Sequence, residues 1–175
     1  MPEQRYGLSS EKQSFIIFGR RHTVYRIIDL KTKERYGYAE SLANFRCDSG
    51  KCPIRDDARV WGNALVCENA IVRGNADIRD DVVVSGHAMV LGNATVRDRA
   101  TISGNATVRD EAVIGNDATI RDDAVISGKA HVGGSVIVCG NAAIGGKVYI
   151  WSDAMISGTC WISDRNRWFD DDIKS

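Results

Sequence analysis

Three histidines, five cysteines and a run of paired aspartates are the residues in this 175-residue chain that could do chemistry. Imidazole titrates near neutral pH, so His22, His87 and His131 are the candidate general bases. None has a carboxylate placed in the sequence to orient it. Cys47 and Cys52 have the spacing of half a zinc site. A structural zinc takes four ligands, however, and no second Cys/His pair sits nearby. Asp56-Asp57, Asp80-Asp81 and Asp122-Asp123 offer oxygens of the kind calcium takes. Arg55, Arg79 and Arg121 immediately precede these pairs, the pattern of a charge-balanced surface, and no metal is expected. Arg59, Arg79 and Arg97 with Trp61 would suit a phosphate, but Asp77, Asp80 and Asp98 are interleaved with them. With 23 basic and 23 acidic side chains, no nucleic-acid partner is expected.

What positions these residues is a repeat. From Ile54 to Ile162 every sixth residue is Val or Ile, without an insertion or deletion. The frame covers 19 hexads, long enough to define an architecture by itself. Two residues before each aliphatic stands alanine, or Cys52, Val82, Val136, Val148 or Cys160. Two residues after it stands Gly or Asp in most hexads. In extended chain the alanine and the aliphatic share one face. Gly-Asn and Asp-Asp then make a bend, because Gly and Asn tolerate positive φ and Asp can bond nearby backbone. A period of six does not hold one face of a 3.6-residue helix.

Each hexad is therefore a short strand and a corner. Such a strand buries its face only when coils stack. Three hexads close a triangle, giving about six coils and a rod of roughly 30 Å at the usual strand spacing. Residues 14–30 read as two apolar strands around Gly19-Arg20-Arg21, a hairpin that covers or flanks the first coil. The expected organisation is a β-rich cap and polar connection over residues 1–51, a β-helix over 52–165, and a tail over 166–175 in which Trp168 and Phe169 fold over the last coil.

The hexads resemble the left-handed parallel β-helix of hexapeptide-repeat proteins, and more narrowly the bacterial and prophage YdcK-like β-solenoid proteins. The narrower likeness rests on an entry segment: Tyr36-Gly37-Tyr38-Ala39-Glu40-Ser41, Asn44-Phe45, Gly50 and Pro53-Ile54-Arg55-Asp56-Asp57-Ala58. The first glycine and the tryptophan of that pattern are missing here. The resemblance implies an all-β, left-handed, single-stranded solenoid and a phage-related setting, with no reaction to carry over. Hexapeptide-repeat enzymes are often acyltransferases, which implies an alternative: a coenzyme A thioester as cofactor, with His131 or His87 as base. Such enzymes usually break the hexads with a loop that completes the site; here the run is unbroken.

Taking every third hexad gives three outer faces. The first carries Ile71, Met89, Leu91, Val125 and Trp161. The second carries Arg59, Trp61, Arg79, Arg97, His131, Tyr149 and Trp151. The third carries Leu65, Val83, Ile137 and Met155. Apolar columns on the first and third faces mark interfaces, so a homo-oligomer (dimer or trimer) or a protein partner is expected. No apolar stretch has membrane-spanning length and no signal core opens the chain, so the expected location is cytoplasmic with no membrane association. The expected function is a non-enzymatic scaffold or interaction module without a cofactor.

Overall fold

A computed structural model describes residues 5–46, 51–163, 167–169 and 173–174. The chain winds into a left-handed parallel β-helix of about seven turns. Residues 18 apart are in register: Arg59 beside Asp77, Asp77 beside Thr95, Thr95 beside Val113. Three parallel stacks result, one per face of the triangle. All 19 aliphatic residues of the frame are buried, from Ile54 to Ile162. The smaller residues two places earlier fill the narrow space beside them, and most of these alanines have no accessible surface.

The corners repeat with the same period. Asp56, Gly62, Glu68, Gly74, Asp80, Gly86, Gly92 and Asp98 all have φ between 57° and 76°, and the series continues to Gly146 and, past Ser152, at Gly158. Left-handed backbone is what turns a two-residue strand through a corner. Tight stacking then reinforces glycine: at Gly104 a Cβ would lie 2.7 Å from the amide nitrogen of Asp122 one coil on.

Acidic corners solve the same problem with a side chain that is used. Asp56 accepts a hydrogen bond from the Gly74 N–H (3.0 Å), Asp98 from Asn116 (2.8 Å), Asp110 from Gly128 (2.9 Å) and Asp122 from Gly140 (3.0 Å). Each carboxylate caps a corner amide one coil further along. Next to them run amide and carboxylate ladders, such as Asn63 donating to Asp81 and Asn105 to Asp123.

The N-terminal part differs in detail from the sequence expectation. β1 (Tyr6–Ile17) and β2 (Arg20–Asp29) form the hairpin, which begins at Tyr6 rather than near residue 14. β3 (Arg35–Ala39) follows antiparallel to β2 and then pairs in parallel with Arg59–Val60. Phe45 bridges to Val66 and Ile54 to Val72. The segment 31–51, expected as a connection, thus supplies two sides of the first coil. Asn44 explains how: buried, it donates to the carbonyls of Gly62 and Ala64 and accepts from the Ser41 N–H. Gly37 is needed for close approach, since a Cβ there would sit 2.5 Å from Ile54. At the other end, Arg167–Phe169 pairs beside Val148–Ile150 and Ile173–Lys174 beside Ile156–Ser157. This backbone extends two faces of the stack rather than lying across the last coil.

Candidate functional site

The three histidines lie in three different settings. His131 is on the second face with its ring stacked on Tyr149, centroids 4.8 Å apart and planes 21° apart. Partial burial, then the charges of Arg97 and Lys147, lower its pKa below the usual histidine value. No carboxylate pairs with it among the described residues. His87 is exposed at a corner of the third face; its backbone N–H donates to the Gly104 carbonyl (2.7 Å). His22 lies against Trp61 (4.5 Å), with its Nδ1 3.8 Å from the Glu40 carboxylate. Among the described residues, the histidine within ion-pair distance of a carboxylate is therefore the one in the hairpin, a pairing between residues 18 apart in sequence that only the fold reveals.

The arginine and tryptophan stripe is half occupied from within. The hairpin curls over the second face and covers Trp61, leaving it 2% exposed. Phe15 meets Trp61 edge-on at 5.1 Å, and Val24 and Tyr38 complete the cluster. Arg79 lies over the Trp61 ring (5.6 Å) and Arg59 over Phe15 (5.8 Å). The Trp61 indole N–H donates to Asp77 (2.8 Å). These groups hold the cap to the rod. Arg26 makes a second fastening: its guanidinium reaches the Tyr36 and Asp56 carbonyls, the Tyr38 hydroxyl, Asp57 and Glu11.

Below Arg97 the second face changes character. Gly115 and Gly133 take outward positions, and Trp151 lies against Gly133, where a Cβ would meet its ring at 2.5 Å. The ring is about half exposed. Charge also falls away with distance from the cap: residues 55–123 carry 20 charged side chains, residues 124–163 only Lys129, Lys147 and Asp153.

On the first face Met89 and Trp161 are exposed, Trp161 at 77%, while Ile71, Leu91 and Val125 are half-buried against their column neighbours. On the third face Leu65, Val83, Ile137 and Met155 are all half-buried. Its twelve outward positions from Leu65 to Ser157 include one charge, Arg121. Cys52 is buried with its thiol 3.4 Å from the Ile54 carbonyl; Cys47 lies outside the described residues. The paired aspartates are spread along the corners, the first of each pair turned to a backbone amide, and no group of three metal-type ligands forms among the described residues. No helix of the described residues is long and apolar enough to cross a membrane.

No family model matches the chain, and no curated protein is similar to it.

Proposed function

We propose that the protein is a non-enzymatic solenoid, a rigid rod that assembles with copies of itself or with a protein partner through its first and third faces. The observation that carries this is the third face: a flat stack with one column of Leu, Val, Thr, Thr, Ile and Met beside one of Cys, Ser, Ser, Arg, Cys and Ser, so that a single charge stands among its outward residues. Extended surface nearly free of charge, with apolar side chains toward both ends, suits the core of an interface, where charged residues are depleted. Two further features support the reading. The hexads run from Cys52 to Arg165 without the inserted loop that would build a substrate cleft. The paired aspartates and the Arg59, Arg79 and Trp61 stripe are engaged in holding the rod together, as corner caps, as ladders, or under the hairpin.

The likeness to YdcK-like solenoids is part of this proposal and points to a bacterial or prophage setting. Its entry segment has physical roles here: Glu40 accepts from the Gly62 N–H (2.8 Å), Ser41 caps the turn Leu42–Asn44, and Asn44 anchors the next coil.

Sedimentation of the whole chain tests the assembly, with Thr101→Lys and Val125→Lys placed in the third and first faces. The expected result is an oligomer that these substitutions weaken. A monomer at every concentration, with no specific protein captured from a bacterial lysate, overturns the reading. Acetyl-coenzyme A separates it from the acyltransferase alternative. No thermal shift is expected; a shift abolished by His131→Ala or His87→Ala would favour the enzyme.

A further inference from the structure

The hairpin carries a surface that the solenoid faces do not explain. β1 pairs with β2 on one side only, and among the described residues its other edge has no strand beside it. Long apolar edge strands are a hazard that proteins usually cover, charge or interrupt. Here the irregularity lies between Leu8 and Lys12. Beyond it, Gln13 to Gly19 contains no charge and reads Ser-Phe-Ile-Ile-Phe at its centre, a segment of high strand propensity.

The turn is also unusual. Ile17 pairs with Arg20, so Phe18 and Gly19 form a two-residue loop with φ of 48° and 75°. Turns of that type favour Asn, Asp or Gly at both positions. Phe18 instead holds a left-handed backbone with its side chain 99% exposed, beside Ile16 at 68%. Among the described residues, nothing covers these two large apolar side chains at the tip.

The hydrogen-bond alternation of the hairpin fixes what the edge offers. With Ile17 opposite Arg20 closing the loop, the odd residues Gln13, Phe15 and Ile17 bond to β2. The even residues Lys12, Ser14 and Ile16 then direct N–H and C=O outward. Side chains of the odd residues face the Trp61 cluster, which Phe15 and Ile17 join. Side chains of the even ones are solvent-facing.

We propose that β1 pairs antiparallel with β1 of a second copy, centred on Ser14, so that two ten-stranded sheets become one. A copy of the same strand fits this edge better than an arbitrary one. In the register that sets Ser14 opposite Ser14, Lys12 falls opposite Ile16 of the second copy on both sides of the two-fold axis. All three outward-bonding residues meet outward-bonding residues, for about six backbone hydrogen bonds. The register uses neither the irregular stretch nor the turn. It places no like charges opposite each other. Each Lys12 lies diagonally beside Phe18 of the other copy, where its stem covers Ile16 and its ammonium can rest on the Phe18 ring. Closed two-fold pairing of this kind also ends the edge rather than propagating it.

The inference is independent of the solenoid faces, and the test keeps the two apart. The whole chain is compared with Ile16→Lys, Ser14→Pro and the third-face variant Thr101→Lys by sedimentation velocity, with thermal midpoints recorded. Ile16 is exposed and the Ser14 N–H points away from β2, so both edge variants should still fold; their midpoints should match that of wild type at concentrations where it is dissociated, lowered in Ser14→Pro only by loss of the Ser14–Thr23 hydroxyl bond (2.9 Å). The expected result is that both halve the sedimenting mass. Ser14→Cys should also form a disulfide-linked dimer under mild oxidation faster than wild type, because hydrogen-bonded antiparallel partners have Cα atoms about 5.5 Å apart, within disulfide range. Retained mass in both edge variants, a monomeric wild type, or no added crosslinking by Ser14→Cys overturns the proposal. Mass lost in Thr101→Lys but kept in Ile16→Lys overturns the edge and leaves assembly through the faces standing.

Discussion

Asp98 offers a sharp test of why the corners alternate between glycine and aspartate. Its φ is 64°, its carboxylate accepts from the Asn116 N–H at 2.8 Å, and Arg97 lies 3.1 Å from the same oxygen. Two substitutions separate its two roles. Asp98→Ala removes the cap and leaves a Cβ in left-handed backbone. Asp98→Gly removes the cap and relieves the backbone. A hydrogen bond to a charged group contributes about 1.5–3 kcal/mol net, and the lower end applies because water reaches this corner. The exposed pair with Arg97 adds at most about 1 kcal/mol. Left-handed backbone costs a residue with a Cβ about 1–2 kcal/mol, of which glycine's greater chain entropy returns about half. The Ala variant should therefore lose about 2 kcal/mol and the Gly variant about 1 kcal/mol. Urea unfolding followed by circular dichroism measures both. A Gly variant as unstable as the Ala variant would refute the strain argument. Two variants indistinguishable from wild type would refute the cap.

Other consequences are as direct. Gly104→Val should destabilise more than either Asp98 variant, because its Cβ meets the Asp122 backbone at 2.7 Å in addition to the strain; the same urea experiment reads it. Trp61→Ala empties the cluster under the hairpin and should cost about 3–5 kcal/mol if the cap and rod unfold together, with hydrogen exchange in β1 and β2 rising most. His131 should titrate below the ordinary histidine value by NMR. Its folded form then binds protons less readily than the unfolded chain, so this group's contribution to stability is complete above pH of about 6.5 and falls as pH drops through the folded pKa. His131→Gln should flatten that part of the pH–stability curve. Asp29 has its pKa lowered to about 2 by the Thr32 N–H and the Arg5 guanidinium, with Lys31 adding a further backbone bond. Its contribution is present above about pH 4 and lost toward pH 2, and Asp29→Asn should remove that acid limb.

The Val and Ile frame carried most of the fold, because in a triangular coil each inward position inside the stack has neighbours 18 residues before and after it and one steric requirement. The same logic shows why the first coil was missed. Ala39 and Phe45 keep the interval of six, but Ile54 follows nine residues later, so a three-residue insertion ends any search for an unbroken frame. The acidic corners were legible as charge-balanced surface. Their role as caps was not, since it depends on a positive φ aiming the carboxylate at an amide one coil away. Trp61 read as an outward residue, which its register makes it. Only the curl of the hairpin onto the second face buries it, and that contact joins residues 46 apart through ring packing, with no periodic signal. The free edge of β1 was hidden for a related reason: the strand propensity of residues 14–18 is visible, but which side of the strand lacks a neighbour is a property of sheet order.

The claim that the first and third faces are assembly surfaces is tested most directly by oxidative footprinting of the full chain across a range of protein concentrations. Met89 and Trp161 on the first face and Met155 on the third should be oxidised more slowly as concentration rises. Trp151, half exposed on the second face, should be oxidised at a constant rate. Rates that do not change with concentration at any of the four residues would contradict the account.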